Sequence, residues 1–579
     1  MNSLEKEILE SLTKNNFMSV VSANSIGENT NNLKDILLSL QDKKQIDLVS
    51  EFKKLKNDKN HPHFFATRRI FEKLLPDIDS PILPVIECTL HLVNEAGEDL
   101  AAGTPLEAYI EFCRKELDRP KKALELIENN RSRLQNILSP TLIAGSKIDI
   151  EYHADQAIRL AQHNDIEYRR RSLFALGRID FEDHDKLIVK AFHQLEKSAD
   201  KESDDHLLGI IIKSIVNFCK YDQVSTKRII KIIEKASEKG SDFTLHAISE
   251  NFGLNNEHLN DDLVDIYLFQ LKKVNPKNTG TIDNIDFGLA KVLSNDKPEK
   301  GVEFLETILV VNNNLLSIEN FDSVVRELHK NKNGLFCKIM TRWFIGGDTT
   351  LCNAVREVVQ YRYRPEEIME LEIMSEELPS SNMIYLVFLA RKAIGFLFNS
   401  PATALNIVLS LFNYAEDDES TKELTKLIFD PLMINYPGYV NKYIDNNYET
   451  LIESAQTACN KAREEFNQYI ENLKSTDKIP ELHPPQSHKD TYNRHFAREM
   501  ADAMNEAEKK SVLLSSVSKS ILLYGRKSIS YVYDFNDKPR RNEMHLHEHG
   551  TEFEFPRVQN IDPFGLDYTL RIFRTEKLK

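Results

Sequence analysis

The sequence predicts a mainly α-helical fold: an irregular helical-repeat solenoid through the middle of the chain, with a small α+β module at its C-terminal end. Three observations predict it. Only 19 Gly and 20 Pro punctuate 579 residues, which favours long helices over many short strands. Apolar clusters recur between residues 151 and 350 at a spacing that fits one helix pair per unit. After Gly525 the apolar period switches from helical to two.

The elements follow in order. Residues 1–150 read as a helical region. Leu4, Ile8, Leu9 and Leu12 form one apolar face, and Leu33, Ile36, Leu37 and Leu40 form another. Pro62, Pro76, Pro81 and Pro84 break helices between them. In 151–350, taking Ala175, Ile215, Ile248, Leu289 and Val325 as equivalent points gives steps of 40, 33, 41 and 36 residues. Second helices such as 185–198, 226–238 and 261–274 fill the intervals. No such cluster can bury its face alone, but stacked neighbours can.

One unit carries a resemblance. In YRRRSLFALGRI (168–179) a small apolar group precedes a glycine and a basic residue, and Ala175, Leu176, Gly177 and Arg178 resemble the second helix of a HEAT-type repeat. The other units are degenerate, lacking the glycine and often the basic residue. The resemblance implies a HEAT-like architecture for about 150–350 and no named functional family.

Residues 351–475 read as a helical continuation without the period, closed by a capping helix over 447–473 with Leu451, Ala455, Ala458, Ala462, Phe466 and Ile470 on its stripe. Pro480, Pro484 and Pro485 then mark a linker. The module 484–579 is expected to hold a helix running to Tyr524. Alternating strands follow around Ile529–Phe535, Met544–Leu546 and Phe553–Phe555, with a last run at Leu566, Tyr568, Leu570 and Ile572.

Composition bounds function. The net charge of −15 opposes general attraction to nucleic acid or anionic membrane. Six cysteines without a CxxC pair fit reduced thiols in the cytoplasm. The most apolar stretch, 383–398, is interrupted by Arg391 and Lys392 and is shorter than a membrane span, so a buried core helix is expected. No P-loop or GxSxG elbow occurs; Gly525-Arg526-Lys527-Ser528 lacks the upstream glycine. No catalytic residue and no cofactor is assigned.

Two constellations remain. His545, His547 and His549 share one face if 545–549 is a strand, a spacing that suits a transition metal, although no acidic or Cys partner completes the shell. Arg169, Arg170 and Arg171, the run Tyr361-Arg362-Tyr363-Arg364, and Lys538, Arg540 and Arg541 are basic or basic–aromatic segments of the kind that hold phosphates and bases. Such runs more often pair with carboxylates along a solenoid ridge. The leading expectation is therefore a scaffold with protein partners and no membrane. A nucleic-acid-binding component and a metal-dependent enzyme with its site in the C-terminal module are the alternatives. The richness in Lys, Asn and Ile points to an AT-rich bacterial genome; a place in an antiviral defence assembly is an expectation from precedent alone, with no residue behind it.

Overall fold

The structure, a computed structural model, describes all residues except 1–2, 15, 26–29, 59–62, 100, 255–258, 296, 362–367, 477, 480–483, 511–516, 524–526, 534–538, 546–553 and 579. It divides into two compact units, Met1–Glu327 and Leu328–Lys579.

The first unit is a helical-repeat solenoid. A front row is built from the first helix of each pair: Thr30–Asp42, Phe64–Leu74, Thr104–Arg114, Leu138–Ser146, Ile166–Arg178, Asp205–Ile215, Asp242–Gly253 and Thr279–Leu293, each packed on the next. A back row of second helices includes Ile150–Leu160, Asp185–Lys201, Thr226–Lys239 and Asp261–Leu271, again neighbour on neighbour. Aliphatic and aromatic side chains fill the space between the rows, among them Leu173, Leu176, Phe192, Ile211, Ile215, Ile248 and Leu289.

Polar ties repeat with the period. Ser139 Oγ donates to the Arg171 carbonyl at 2.7 Å, 32 residues on. Ser214 Oγ reaches back 41 residues to the Leu173 carbonyl, and Asn251 Nδ2 reaches back 39 to the Ile212 carbonyl. Each tie satisfies a buried polar group and fixes the axial register of one helix on its neighbour. Glycines let the front row approach closely: a Cβ at Gly177 would lie 2.5 Å from the Ser214 Cα, and one at Gly253 would lie 2.2 Å from the Asn284 carbonyl oxygen. The stacking is not confined to 151–350. Arg68 Nη2 already donates to the Ala101 carbonyl and Thr104 Oγ1, and Tyr109 meets Thr141 at 3.0 Å.

In the second unit, ties of similar separation persist where the sequence suggests that the period is lost. Residues 371–374 run extended. Met374 N–H donates to Thr341 Oγ1, Leu371 N–H to Asn406 Oδ1 and Ile373 N–H to Ser410 Oγ, over 33, 35 and 37 residues. Helix Met383–Leu397 is the expected buried core helix, and among the described residues no helix is long and apolar enough to cross a membrane. Helix Glu453–Thr476 buries Ala455, Ala458, Cys459 and Ala462.

A separate α+β module over 484–579 with the expected elements is not supported: the segment belongs to one compact unit with 328–483, and its elements fall elsewhere than expected. Helix Gln486–Lys510 stops well before Tyr524. Strands β1 (Val517–Leu523), β2 (Lys527–Tyr533) and β3 (Pro539–His545) pair antiparallel in that order. Strand β1 occupies part of the span expected to be helical, and its Val517 and Ile521 are β-branched residues that favour a strand. The last expected strand is instead helix Pro563–Thr575. Its residues 564–573 are apolar on both faces, so they satisfy a period of two and of 3.6 alike. Asp562 decides the outcome: its side chain caps Gly565 N–H at 2.9 Å, with Pro563 at the first helical position.

That last helix docks on Met383–Leu397, burying Leu566, Leu570 and Phe573. Gly395 gives Phe573 room, since a Cβ there would stand 3.0 Å from the phenylalanine's own Cβ. The fully buried Lys392 donates to the carbonyls of Arg574 and Glu576 at 2.6 and 2.7 Å. Those carbonyls belong to the helix end and the residue after it, where a cation is favoured. Arg574 Nε returns a bond to the Gly395 carbonyl, and Arg391 pairs with Glu576. Upstream, Glu554 accepts from Gly438 and Tyr439 N–H at 2.7 Å each, at the start of helix Pro437–Asn447. The C-terminal segment is thus a strap on the helical body.

Candidate docking groove

The exposed stripe of each front-row helix is dictated by its sequence. In Ile166–Arg178, Tyr168, Ser172, Leu173, Ala175, Leu176 and Gly177 are buried. Glu167, Arg170, Arg171, Phe174 and Arg178 are left on the outer face at helical spacing. His206 and Ile210 continue that face on the next helix, and Ile110 and Ile143 on the two before it.

Between these helices lies a groove of about 680 Å³. Its apolar lining is Leu106, Ile110, Pro140, Ile143, Phe174 and Ile210; Arg170, Arg171, Arg178 and His206 supply cationic or titratable groups, and Glu107 and Glu167 the carboxylates. A second hollow of about 1050 Å³ shares Glu107 and Ile110 and extends the groove toward Phe65 and Arg69.

The arginine run divides its labour. Arg169 binds Glu202 through Nε and Nη2 at 2.9 and 3.3 Å and donates to the carbonyls of His163 and Asn164. Arg170 bridges Glu167 on its own helix and Asp204 at 3.0 Å in the next unit. Burial works against the Arg170 charge, but the Asp204 and Glu167 carboxylates outweigh it and raise its pKa. Arg171 donates from Nη2 to Asn136 Oδ1 at 2.8 Å, and its buried Nε has no hydrogen-bond partner among the described residues. Burial accordingly lowers its pKa, although a guanidinium stays charged in any case. Arg178 is exposed, with its guanidinium carbon 5.4 Å from the centre of the Phe174 ring.

A second polar junction lies one unit on. Asp205 accepts from Ser241 N–H and Oγ, from Phe243 N–H and from Thr244 N–H and Oγ1, at 2.6 to 3.1 Å. Burial alone would raise its pKa. The Ser241, Thr244 and Phe243 donors prevail and hold the carboxyl far below its usual range. Asp205 therefore caps the next front-row helix from outside. Phe243, half exposed beside it, lies against the His206 ring with centroids 3.4 Å apart.

The other sequence candidates are elsewhere. Arg169, Arg170 and Arg171 belong to the first unit. Tyr361 ends helix Thr349–Gln360 in the second unit, edge-on to His329 at 5.7 Å. Arg362, Tyr363, Arg364 and Lys538 lie outside the described residues; Arg540 and Arg541 are on β3, with Arg541 exposed. His547 and His549 also lie outside them, while His545 ends β3. Among the described residues no group of three or more His, Cys, Asp or Glu is arranged to hold a metal. Burial pushes the thiols of Cys88, Cys113 and Cys352 up to about 12, far from a reactive thiolate. Phe174, His206, Ile110 and Ile210 were not singled out by motif. Their signal is an apolar or ring residue at the outward position of successive first helices.

No family model matches the chain, and no curated protein matches it. Among solved structures, an engineered protein is similar at 11% identity, covering 78% of this chain and 98% of its own, with a TM-score of 0.23. A circular tandem repeat protein with novel repeat topology and enhanced subunit contact surfaces is similar at 12% identity, covering 80% and 90%, with a TM-score of 0.18. At such scores neither likeness carries an argument. What the chain is rests on its own packing: paired helices in register, tied every 32 to 41 residues, with a groove along one row.

Proposed function

We propose that this chain is a protein-binding scaffold whose front-row groove seats a partner segment bearing apolar side chains and at least one carboxylate. One observation carries the reading. At the edge of an apolar floor of Ile110, Phe174 and Ile210, Arg178 stands exposed on the Phe174 ring. A carboxylate entering there would pair with the Arg178 guanidinium, a partly exposed ion pair worth up to about 1 kcal/mol. Apolar side chains would cover Ile110, Phe174 and Ile210.

A nucleic-acid backbone suits this groove less well. Arg169 and Arg170 already hold Glu202 and Asp204, and Glu107 and Glu167 would face the phosphates. Work within a multi-protein complex follows from the scaffold role; bacterial defence is one class of such complex and rests on precedent rather than on any residue.

The test compares pull-downs from native cells by the wild-type chain, by Phe174→Asp/Ile210→Asp and by Arg178→Glu. A specific partner should be lost from the double variant and weakened about tenfold by Arg178→Glu, while Phe287→Asp, on another front-row helix, retains it. Equal recovery by all four chains would sink the proposal. So would a labelled duplex retained by the wild type with a steep salt dependence.

A further inference from the structure

The front-row groove crosses its helices rather than following one. Thr104–Arg114, Leu138–Ser146, Ile166–Arg178 and Asp205–Ile215 pack side by side in that order. Each contributes a part-exposed apolar side chain to the lining: Ile110, Ile143, Phe174 and Ile210 (Leu106, one turn before Ile110, broadens the first). Packed helices stand about 8–10 Å apart, so these side chains form a ladder with a rung about every 9 Å, about 27 Å from end to end.

That interval selects the backbone of an occupant. A chain of polyproline type rises about 3.1 Å per residue and turns once in three residues, so every third side chain returns to the same side about 9.3 Å further on. A β-strand returns every second residue, about 6.6 Å on, and is out of step at the next rung. An α-helix returns after seven residues, about 10.5 Å on, and overshoots by about 4 Å over three rungs. It is also thicker. Spread over the ladder, the 680 Å³ of the groove is a section of about 25 Å², against about 80 Å² for a helix ~10 Å across.

Charge gives the groove two different ends. The exposed Glu107 lies one turn before Ile110 at the first rung, and the exposed Arg178 lies one turn beyond Phe174 at the third. Of the other lining charges, Glu167 and Arg170 bond to each other. Building on the scaffold reading, we infer that the partner segment is an extended chain of polyproline type laid across the four helices. It carries apolar side chains at i, i+3, i+6 and i+9, a carboxylate beside the end that meets Phe174 and Ile210, and a basic residue beside the end that meets Ile110. Such a chain has no internal hydrogen bonds, so its intervening positions admit proline.

The probe is a phage-displayed library of random peptides of about 16 residues, long enough to span the four rungs. It is selected on the full chain and depleted on the full-length variant Phe174→Asp/Ile210→Asp. Sequences kept by the wild type and lost by the variant should carry aliphatic or aromatic residues at every third position, with Asp or Glu concentrated beside one end. Synthetic copies, read by fluorescence anisotropy, should bind at least about tenfold tighter than peptides with the same apolar residues respaced to every second or every seventh position. Selection on Arg178→Glu should replace the acidic preference with Lys or Arg and leave the apolar period in place. Groove-dependent peptides with strand or helix spacing, or an acidic preference that survives Arg178→Glu, would overturn the inference and leave the scaffold reading standing. A library that yields no groove-dependent sequence would overturn both.

Discussion

Helices Asp242–Gly253 and Gln486–Lys510 meet the same physical demand in opposite ways. The first is short and its residues Thr244, Leu245, Ala247, Ile248, Ser249, Asn251, Phe252 and Gly253 are all buried. Asn251 Nδ2 is tied to the Ile212 carbonyl one period back, and the amino end is capped by Asp205 from the preceding unit. The second is twice as long, and its described side chains from Gln486 to Glu506 are exposed, its apolar stripe of Tyr492, Phe496, Met500 and Met504 included. The difference teaches that helix formation here is a property of neighbours rather than of local sequence. A repeat helix carries its neighbours in the same chain. Among the described residues, the exposed helix is touched at Tyr492 and Phe496 by the strap residues Asn560 and Phe555.

The comparison can be broken most severely at the glycines of the front row. Gly253→Ala forces a Cβ onto the Asn284 carbonyl, which is backbone and cannot swing aside. About 3 kcal/mol of lost stability is expected from urea unfolding, with the front row displaced. A smaller effect follows at the cap. Asp205→Asn removes the charge that five donors converge on and should cost about 2 kcal/mol near neutral pH. The sign of its pH dependence is fixed. The folded carboxyl titrates below its unfolded value of about 3.9, so the stability it contributes is present above that pH and is lost as pH falls through the folded pKa. The wild-type advantage should therefore be constant from pH 7 to about pH 5 and shrink steadily below about pH 4. Smallest of all, Met504→Ala should leave the urea midpoint of the helical body within about 0.5 kcal/mol, because Met504 is 68% exposed. A loss as large as that of Gly253→Ala would mean the helix is part of the body after all.

Much of the solenoid was legible. Apolar clusters located the front-row helices, and the glycine of the one HEAT-like unit, Gly177, turns out to be the point where Ser214 approaches. The groove was not legible, since its wall and floor come from four helices and depend on axial register. The partners of the arginine run illustrate this. Glu202 and Asp204 lie 33 and 34 residues beyond Arg169 and Arg170, one repeat away, and only the stacking shows that this separation means adjacency. The run Leu566–Ile572 misled for a different reason. A helix buried on one side and apolar on the other offers strand alternation for free, and the capping aspartate before it is the more reliable sign.

The Lys392 bonds have a consequence for synthesis. Their acceptors follow the lysine by 182 and 184 residues, so at roughly 5–20 residues per second the ribosome supplies them about 10–40 s later. Until then the helix around Lys392 can be made but its ammonium cannot be sealed from water. Completion of the second unit is therefore timed by translation of the strap, and a nascent chain paused before residue 574 would present the Gly395 face uncovered to whatever chaperone binds apolar surface.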